Sequence, residues 1–282
     1  MIRKPFGRTA VALPAIGQGT WDLPERGARR AEAIAALRRG IELGMTHIDT
    51  AEMYGSGAVE EMLGEALAAV PRDSVFVTSK VLPENATYKG TLAACDRTLK
   101  RLRTSYVDLY LLHWPGSHPL ADTMSALENL VSEGKARFIG VSNFDLDELR
   151  EAQSYLRGQP LAANEIYYTL VERGAEARLI PYCREQRIAV IGYTPFGRGR
   201  VLRKGSPGAT VLEQIAGRHG KTARQVVLNF LTRGEQLFAI PKASSAAHVE
   251  ENAGAVGWDL DDSDCARIDS VFPIVEGPLA SI

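Results

Sequence analysis

Four side chains capable of acid–base chemistry follow or end short apolar runs in this sequence. Asp49 stands in "THIDT", Tyr54 follows it five positions later, Lys80 ends "VFVTSK" and His113 ends "YVDLYLLH". A tyrosine hydroxyl has an ordinary pKa of about 10, which is too high for efficient proton transfer at neutral pH. A neighbouring ammonium lowers that pKa because it favours the phenolate. We therefore expect Lys80 to activate Tyr54, and Asp49 to keep Lys80 charged.

The chemistry that this set predicts is polarisation of a carbonyl group and donation of a proton to its oxygen. His113 is expected to donate a hydrogen bond that orients the substrate oxygen. Considered alone, each residue also has a structural interpretation, because an aspartate after a strand often caps a turn and a strand-end lysine usually extends into solvent. The set contains no source of electrons, so a reduction would need a bound hydride carrier.

Composition and cysteine spacing exclude several other classes. Cys95, Cys183 and Cys265 are far apart and show no CxxC spacing, so we expect no metal and no disulfide framework, and a reducing, cytoplasmic setting. Lysine plus arginine total 33 and aspartate plus glutamate total 34, which gives no reason to expect nucleic acid or an anionic membrane as a partner. No run reaches the ~18 apolar residues that a spanning helix needs. Pro14 interrupts the first apolar stretch, so we interpret the N-terminal segment as mature protein.

Eight short apolar runs alternate with helical patterns. Most are continuous rather than alternating in polarity, which is typical of parallel strands covered on both faces. The runs are "AIGQGTW", "THIDT", "VFVTSK", "YVDLYLLH", "RFIGVSN", "AANEIYY", "IAVIGYT" and "LFAIPK". Eight right-handed βαβ units in 282 residues favour the α/β class, as a (β/α)8 TIM barrel with an N-terminal β-hairpin in one domain, 1–282. A doubly wound open sheet is the alternative, but it usually carries a GxGxxG turn and only "GQG" is present.

Helix boundaries are predicted from capping signals. Gly44 and Gly134 are expected to end two helices, since glycine is favoured directly after a helix. A last helix is expected to start near Ser245. Pairs with capping-box spacing predict three further starts, Asp145 with Glu148, Thr210 with Glu213, and Thr222 with Gln225.

Polar residues gather where the predicted strands end, which in a (β/α)8 barrel is the face that carries the chemistry. Because these residues share one rim, the set indicates a functional site more strongly than any single residue does. Besides the first four residues, this rim is predicted to hold Ser142, Asn143, Asn164, Glu165, Tyr193, Thr194 and Lys242.

Several segments resemble the motifs of the aldo-keto reductase family, in family order and across essentially the whole chain. They are "GMTHIDTAEMYGSGAVEEMLGEAL", "VFVTSK", "YVDLYLLHWP", "GKARFIGVSNF", "NEIYY", "IGYTPFGRG" and "IPKASSAAHVEEN". The resemblance implies a (β/α)8 barrel with an N-terminal hairpin, and reduction of aldehydes and ketones by a nicotinamide cofactor, usually NADPH. The length and pattern look most like short bacterial members that reduce small dicarbonyls such as methylglyoxal or diketogluconate.

Carried over by position, the resemblance assigns Asp49, Tyr54, Lys80 and His113 to the catalytic tetrad, with Tyr54 as the proton donor. The cofactor contacts that it implies are Gly19, Thr20 and Trp21 at the first-strand rim, Asp49, Ser142, Asn143 and Glu165 near the nicotinamide, Tyr193 on its ring, Thr194, Phe196 and Gly197 along the pyrophosphate, Lys242, Ser244 and His248 near the adenosine phosphate, and Asn252 at the adenine. The substrate contacts are Trp21, Tyr54, His113 and Trp114.

The sequence departs from the family pattern in three places. Glu165 stands where the family commonly has glutamine, and an ionised carboxylate accepts hydrogen bonds but cannot donate one. The phosphate segment reads Lys242-Ala243 and then His248, where lysine, serine and arginine are common. Since histidine titrates near neutral pH, we expect an NADPH preference that is weaker than usual and pH-sensitive, with NADH possible. The chain also stops soon after "VFPIVEGPLASI", which predicts a more open pocket.

For the reductase we expect a small-molecule carbonyl substrate, a monomer, and no nucleic-acid or membrane partner. Two other functions remain open at this point. The first is a regulatory subunit that binds a nicotinamide cofactor, although the complete tetrad argues against pure binding. The second is a Schiff-base barrel lyase with Lys80 as nucleophile. That reaction needs a neutral lysine, which the neighbouring Asp49 would oppose.

Overall fold

A two-stranded antiparallel hairpin precedes the main sheet in the computed structural model, which describes residues 1–280. Its strands are β1 Arg3–Pro5 and β2 Ala12–Pro14. Positions 281 and 282 of the predicted domain lie outside the described residues, and the prediction of one domain over 1–282 stays a prediction. The hairpin itself is confirmed.

Eight parallel strands follow, each paired with the next in chain order. They are β3 Gln18–Gly19, β4 His47–Asp49, β5 Phe76–Val81, β6 Val107–Leu112, β7 Ala136–Ser142, β8 Leu161–Tyr167, β9 Ala189–Tyr193 and β10 Leu237–Ile240. This order confirms the (β/α)8 barrel and excludes the doubly wound alternative. The first run, "AIGQGTW", is a strand only at Gln18–Gly19, and its Ile16 forms an isolated bridge with Ala239.

The barrel closes between its first and last strands through a seam of few hydrogen bonds. The seam consists of two isolated bridges, Ile16 with Ala239 and Gly19 with Lys242. The Gly17 and Gly19 amides donate to the carbonyl oxygens of Ala239 and Pro241 at 2.8 and 3.2 Å, and the Ala239 amide donates to Ala15 at 3.0 Å.

Helices cover the outside of the barrel. They are α1 Gly27–Glu42, α2 Ala58–Leu67, α3 Tyr88–Leu102, α4 Leu120–Ser132, α5 Leu146–Tyr155, α6 Leu179–Glu185, α7 Pro207–His219, α8 Ala223–Leu231, α9 Ala246–Ala253 and α10 Asp262–Val271. Within residues 1–280, no helix combines the length and apolar character needed to cross a membrane.

The predicted helix starts are mostly confirmed. Asp145 and Thr222 form complete capping boxes, and Ser245 caps α9. The start predicted at Thr210 is wrong, because Ser206 caps α7 through the Ala209 amide and Pro207 occupies the first helical position. That start follows the preference for proline at the first position of a helix.

The end of the barrel opposite the strand carboxyl ends is filled by the hairpin. Phe6 is fully buried, and its ring meets those of Phe76 and Phe238 edge to face at 5.3 and 5.4 Å. Lys4 donates hydrogen bonds to three carbonyl oxygens around β10, those of Thr232, Gly234 and Leu237, at 2.6, 2.8 and 2.7 Å. The hairpin therefore seals the lower end of the barrel and leaves the upper end open.

Candidate active site

The site is assembled by strands whose carboxyl ends lie side by side. Parallel pairing sets Asp49 of β4 beside Thr78, which places Lys80 just above it on β5. The same pairing sets Glu165 of β8 beside Ser142 of β7. Side chains two residues apart on a strand share one face, so Lys80 and Thr78 both point into the barrel.

Lys80 lies at the centre of the site and is fully buried. Its ammonium donates to Asp49 Oδ1 at 2.5 Å, to the Thr50 carbonyl oxygen at 3.0 Å and to the Tyr54 hydroxyl at 3.4 Å. Asp49 and Tyr54 are therefore both within hydrogen-bonding reach of Lys80. The predicted pair of phenol and ammonium thus lies on one side of the molecule.

The electrostatics of Lys80 and Tyr54 differ in part from the expectation. Burial lowers the pKa of Lys80, but Asp49 and Glu165 raise it more, so its pKa lies above the ordinary value and the ammonium stays charged. Burial raises the pKa of Tyr54, and the opposing effect of Lys80 is too small to reverse this. The expected lowering of the Tyr54 pKa is wrong for this structure, because the phenolate loses its hydration in a closed site.

The raised pKa of Lys80 also argues against the Schiff-base alternative. A nucleophilic amine must be neutral, and two carboxyl groups lie within reach of this one. Asp49 Oδ1 lies 2.5 Å from the ammonium and Glu165 Oε1 lies 3.3 Å from it. The site therefore favours a fixed cation.

His113 borders the same cavity as a neutral side chain. Burial and the charge of Lys80 lower its pKa well below the ordinary value. Its ring meets that of Tyr54 edge to face, with centroids 5.8 Å apart, and its buried Nδ1 atom has no hydrogen-bond partner in the described residues. A neutral imidazole beside the phenol is able to donate one hydrogen bond to a substrate oxygen.

A cavity of about 510 Å³ opens above these groups. It is lined by Gly19, Trp21, Asp49, Met53, Tyr54, His113, Trp114, Asn143, Glu165, Tyr193, Thr194, Pro195, Phe196, Arg198, Gly199, Arg224, Ile240 and Lys242. Lys80 lies behind this wall. Most of the residues that the sequence assigns to cofactor and substrate thus surround one space.

The backbone turns sharply at this rim. Asn143 and Thr194 follow β7 and β9 with left-handed φ angles of 61° and 51°. The Tyr193 hydroxyl donates to Asn143 Oδ1 at 2.7 Å, and Asn143 donates to the His113 carbonyl oxygen at 3.0 Å. Non-glycine residues with positive φ are strained and often cluster at functional sites. The two strained turns, and the hydrogen bonds that hold the first of them, therefore agree with a functional site at this rim.

Several predicted cofactor residues do not line the cavity wall. The hydroxyls of Thr20 and Ser142 donate to the carbonyl oxygens of Asp49 and Glu165, at 2.8 and 2.9 Å. These two hydroxyls fix the strands that carry the acids. The others outside the wall are Gly197, Ser244, His248 and Asn252, and their contacts with a cofactor stay predictions.

Two further basic side chains, Arg224 and Arg198, reach the cavity, and sequence reasoning missed Arg224. The guanidinium of Arg224 lies 4.5 Å from the Phe196 ring centroid, and that of Arg198 lies 5.1 Å from the ring of Trp21. The sequence contains a signal for Arg224. Arg224 stands in the first turn of α8, where a positive charge is unfavourable next to the helix dipole and so requires another reason.

Comparison with known proteins agrees with this architecture. The sequence profile of the Aldo/keto reductase family matches residues 15–272. The chain belongs to the aldo/keto reductase family. It is therefore an oxidoreductase, which confirms the enzyme class that the sequence predicts.

Individual relatives are similar over nearly their full lengths. Methylglyoxal reductase YeaE of Escherichia coli (strain K12) is 42% identical over 270 residues, which cover 96% of this chain and 95% of the relative. Glyoxal reductase of Bacillus subtilis (strain 168) is 35% identical, with 93% and 90% covered. The crystal structure of an aldo-keto reductase from Klebsiella pneumoniae in complex with NADPH has a TM-score of 0.92, 40% identity and full coverage of both chains. The predicted cofactor is the one in that crystal structure.

Proposed function

We propose that this aldo/keto reductase uses NADPH to reduce small aldehydes and ketones, including dicarbonyls such as methylglyoxal, with Tyr54 as the general acid. The observation that carries the proposal is the position of the Tyr54 hydroxyl. Tyr54 lines the cavity, and its hydroxyl lies 3.4 Å from a buried ammonium that two acids keep charged. Small dicarbonyls are the substrates named for two of the relatives, which supports the choice of substrate class.

The cavity fits a nicotinamide dinucleotide in its polar groups. Within the described residues, Glu165 Oε2 is buried and receives no hydrogen bond from an N–H or hydroxyl donor, which suits a ligand that carries an amide. Lys242 and Arg224 add two cations to the wall, which suits phosphate groups. The bound cofactor supplies the hydride that the protein side chains lack.

The four tetrad residues control the transfer of the proton to the substrate. Tyr54 holds its proton until a carbonyl oxygen becomes basic enough to take it, because burial raises the pKa of the phenol. The Lys80 ammonium then stabilises the phenolate that remains, since it is close and charged. Asp49 fixes the ammonium, and neutral His113 orients the carbonyl oxygen by donating a hydrogen bond.

Aromatic and apolar side chains shape the space for the substrate. Trp21, Met53 and Trp114 line the cavity beside Tyr54. Trp21 is 43% exposed, so this wall stands at the mouth rather than deep in the barrel. Such walls position a small carbonyl compound against the phenol and exclude water from one side of it.

The substrate prediction is tested with a panel of carbonyl compounds. We expect NADPH-dependent reduction of methylglyoxal and of other small aldehydes, with kcat/KM at least about tenfold above that for bulky steroid ketones. The measurement is the loss of NADPH absorbance under steady-state conditions. Turnover of the steroids without turnover of methylglyoxal would contradict the proposed substrate class.

A second prediction concerns the preference for NADPH over NADH. His248 is exposed at the start of α9, and Arg224 reaches the cavity from α8. We expect Arg224→Ala to lower the NADPH/NADH ratio of kcat/KM about tenfold, because it removes a permanent positive charge near the phosphate. We expect the wild-type ratio to be higher at about pH 6 than at about pH 8.5, because a protonated imidazole near the phosphate favours the more highly charged cofactor.

Matched variants separate these two effects. Arg224→Lys keeps the charge and should retain most of the ratio at every pH. His248→Asn should give a ratio that is independent of pH. A flat pH dependence in the wild type would rule out His248, and an unchanged ratio in Arg224→Ala would rule out Arg224.

A further inference from the structure

The buried site contains more acid than base. Lys80 contacts both Asp49 and Glu165, and all three side chains are almost completely buried. If both acids were ionised, one positive charge would face two negative charges. The other titratable groups around Glu165 and Lys80 are Tyr54, His113, Tyr193 and His47. None of them supplies a second positive charge, because burial and the charge of Lys80 lower the pKa values of both histidines.

The two acids are not equally well partnered. Asp49 Oδ1 accepts a hydrogen bond from Lys80 at 2.5 Å, whereas Glu165 Oε1 is 3.3 Å from the same ammonium. Glu165 Oε2 is buried and receives no hydrogen bond from an N–H or hydroxyl donor within the described residues. An isolated buried charge is far more unfavourable than a buried neutral acid, so the proton belongs on the less well partnered group.

The neighbouring amides cannot compensate for the missing contact. Asn164 donates its side-chain amide to the Phe144 carbonyl oxygen at 2.8 Å, and Asn143 donates to that of His113 at 3.0 Å. Asn143 gives its second N–H to Ser142 Oγ, and Asn164 lies on the opposite face of β8 from Glu165, because successive side chains alternate along a strand. Asp49 is the neighbour that can accept a proton from Glu165, because the two carboxyl groups are within hydrogen-bonding reach of each other, and Glu165 also lines the cavity.

We infer that Glu165 is a neutral carboxylic acid at physiological pH and acts as a positioning residue that places an uncharged carboxyl group at the cavity wall. A neutral carboxyl group has one donor, which Asp49 can accept, and an acceptor oxygen, which suits the NH₂ group of a carboxamide ligand. Burial, together with the neighbouring Asp49, raises the pKa of Glu165 well above its ordinary value, in agreement with this geometry. The cofactor role rests on the proposed function, while the protonation state does not.

The protonation state is tested on the protein without any ligand. Infrared difference spectra should show the carbonyl stretch of a protonated carboxylic acid at neutral pH in the wild type, and Glu165→Gln should abolish it. Glu176→Gln is the matched control, because Glu176 is a largely buried acid that Arg173 and Arg233 bind directly and whose pKa is lowered by these contacts despite burial. This control should retain the band.

Identical spectra for the wild type and Glu165→Gln would overturn the inference. If Glu165→Gln does not fold, carbon-13 spectra of glutamate-labelled wild type answer the same question. One carboxyl carbon should then remain in its protonated position through neutral pH. Titration of every glutamate in the acid range would overturn the inference as well.

The positioning role is tested by the affinity for the two redox forms of the cofactor. Ionisation of Glu165 at alkaline pH adds a negative charge beside the cavity, which favours the cationic ring of NADP⁺ over the neutral ring of NADPH. Across the pH range in which the infrared band of Glu165 disappears, the ratio of the two Kd values should change about tenfold in the wild type in favour of NADP⁺. The ratio should stay constant in Glu165→Gln.

The possible outcomes separate the two claims. A constant ratio in the wild type, with both ligands bound, overturns the positioning role. Failure to bind either ligand while the infrared band is present overturns the proposed function and leaves the protonated acid established.

Discussion

Tyr54→Phe is expected to lower kcat for methylglyoxal by about 10³-fold, because it removes the proton that the carbonyl oxygen receives. The phenyl ring still fills the same space beside His113, so NADPH affinity should change less than about threefold. Steady-state kinetics and fluorescence titration with NADPH measure the two quantities separately. A loss confined to kcat assigns the hydroxyl to chemistry and not to binding.

Tyr110→Phe is the matched control for this loss. Tyr110 is fully buried in the core and does not line the cavity, so the kcat of Tyr110→Phe should stay within about twofold of the wild-type value. Substantial turnover by Tyr54→Phe would contradict the general-acid assignment. Absence of turnover in the wild type itself, with intact NADPH binding, would favour the regulatory alternative.

Lys80→Met is expected to lower kcat by about 10³-fold or more and to destabilise the fold by about 3–5 kcal/mol. The variant removes the cation between Asp49 and Glu165, which leaves two buried acids without a counter-charge. Denaturant unfolding and steady-state kinetics measure the two effects. Unchanged stability would contradict the network around Lys80.

The pH dependence of the stability of Lys80→Met follows from the two acids that remain, Asp49 and Glu165. Burial raises the pKa of both Asp49 and Glu165, and loss of Lys80 removes the charge that opposes this. The native state then binds more protons than the unfolded state, so the free energy of unfolding should fall as pH rises above the ordinary carboxyl range. The variant should accordingly be more stable near pH 5 than near pH 8.

Lys4→Met provides the control at the sealed end of the barrel. Lys4 also satisfies buried partners, but these are the carbonyl oxygens of Thr232, Gly234 and Leu237, which do not titrate. Its removal should destabilise the fold by about 2–4 kcal/mol without this preference for acidic pH, and kcat should be largely retained.

The parts of the site that the sequence predicts are those that strand geometry fixes. Asp49, Lys80 and Glu165 come together because parallel strands bring their carboxyl ends to one rim. An apolar run followed by a polar residue can be recognised in the sequence. The same reasoning predicts the cap of α8 at Thr222, because the capping partner is only three residues away. These features depend on short-range signals and on the regular alternation of strands and helices.

The remaining features depend on burial and on distant contacts. The direction of the Tyr54 pKa is set by desolvation, which is known only once the walls are in place. Arg224 reaches the cavity only because α8 packs behind Phe196. Helix α10 escapes prediction because Asp264 and Ile268 are its only members with fully buried side chains, so its apolar spacing is weak.

The sparse bonding of the seam has a mechanical consequence for the open end of the barrel. Gly19 and Lys242 belong to both the seam and the cavity wall, whereas β5 and β6 form a continuous ladder on the other side. Local opening is easiest where few backbone hydrogen bonds must break. Breathing motions of the barrel should thus concentrate at this joint, where they would widen the mouth and leave the rigid floor around Lys80 undisturbed.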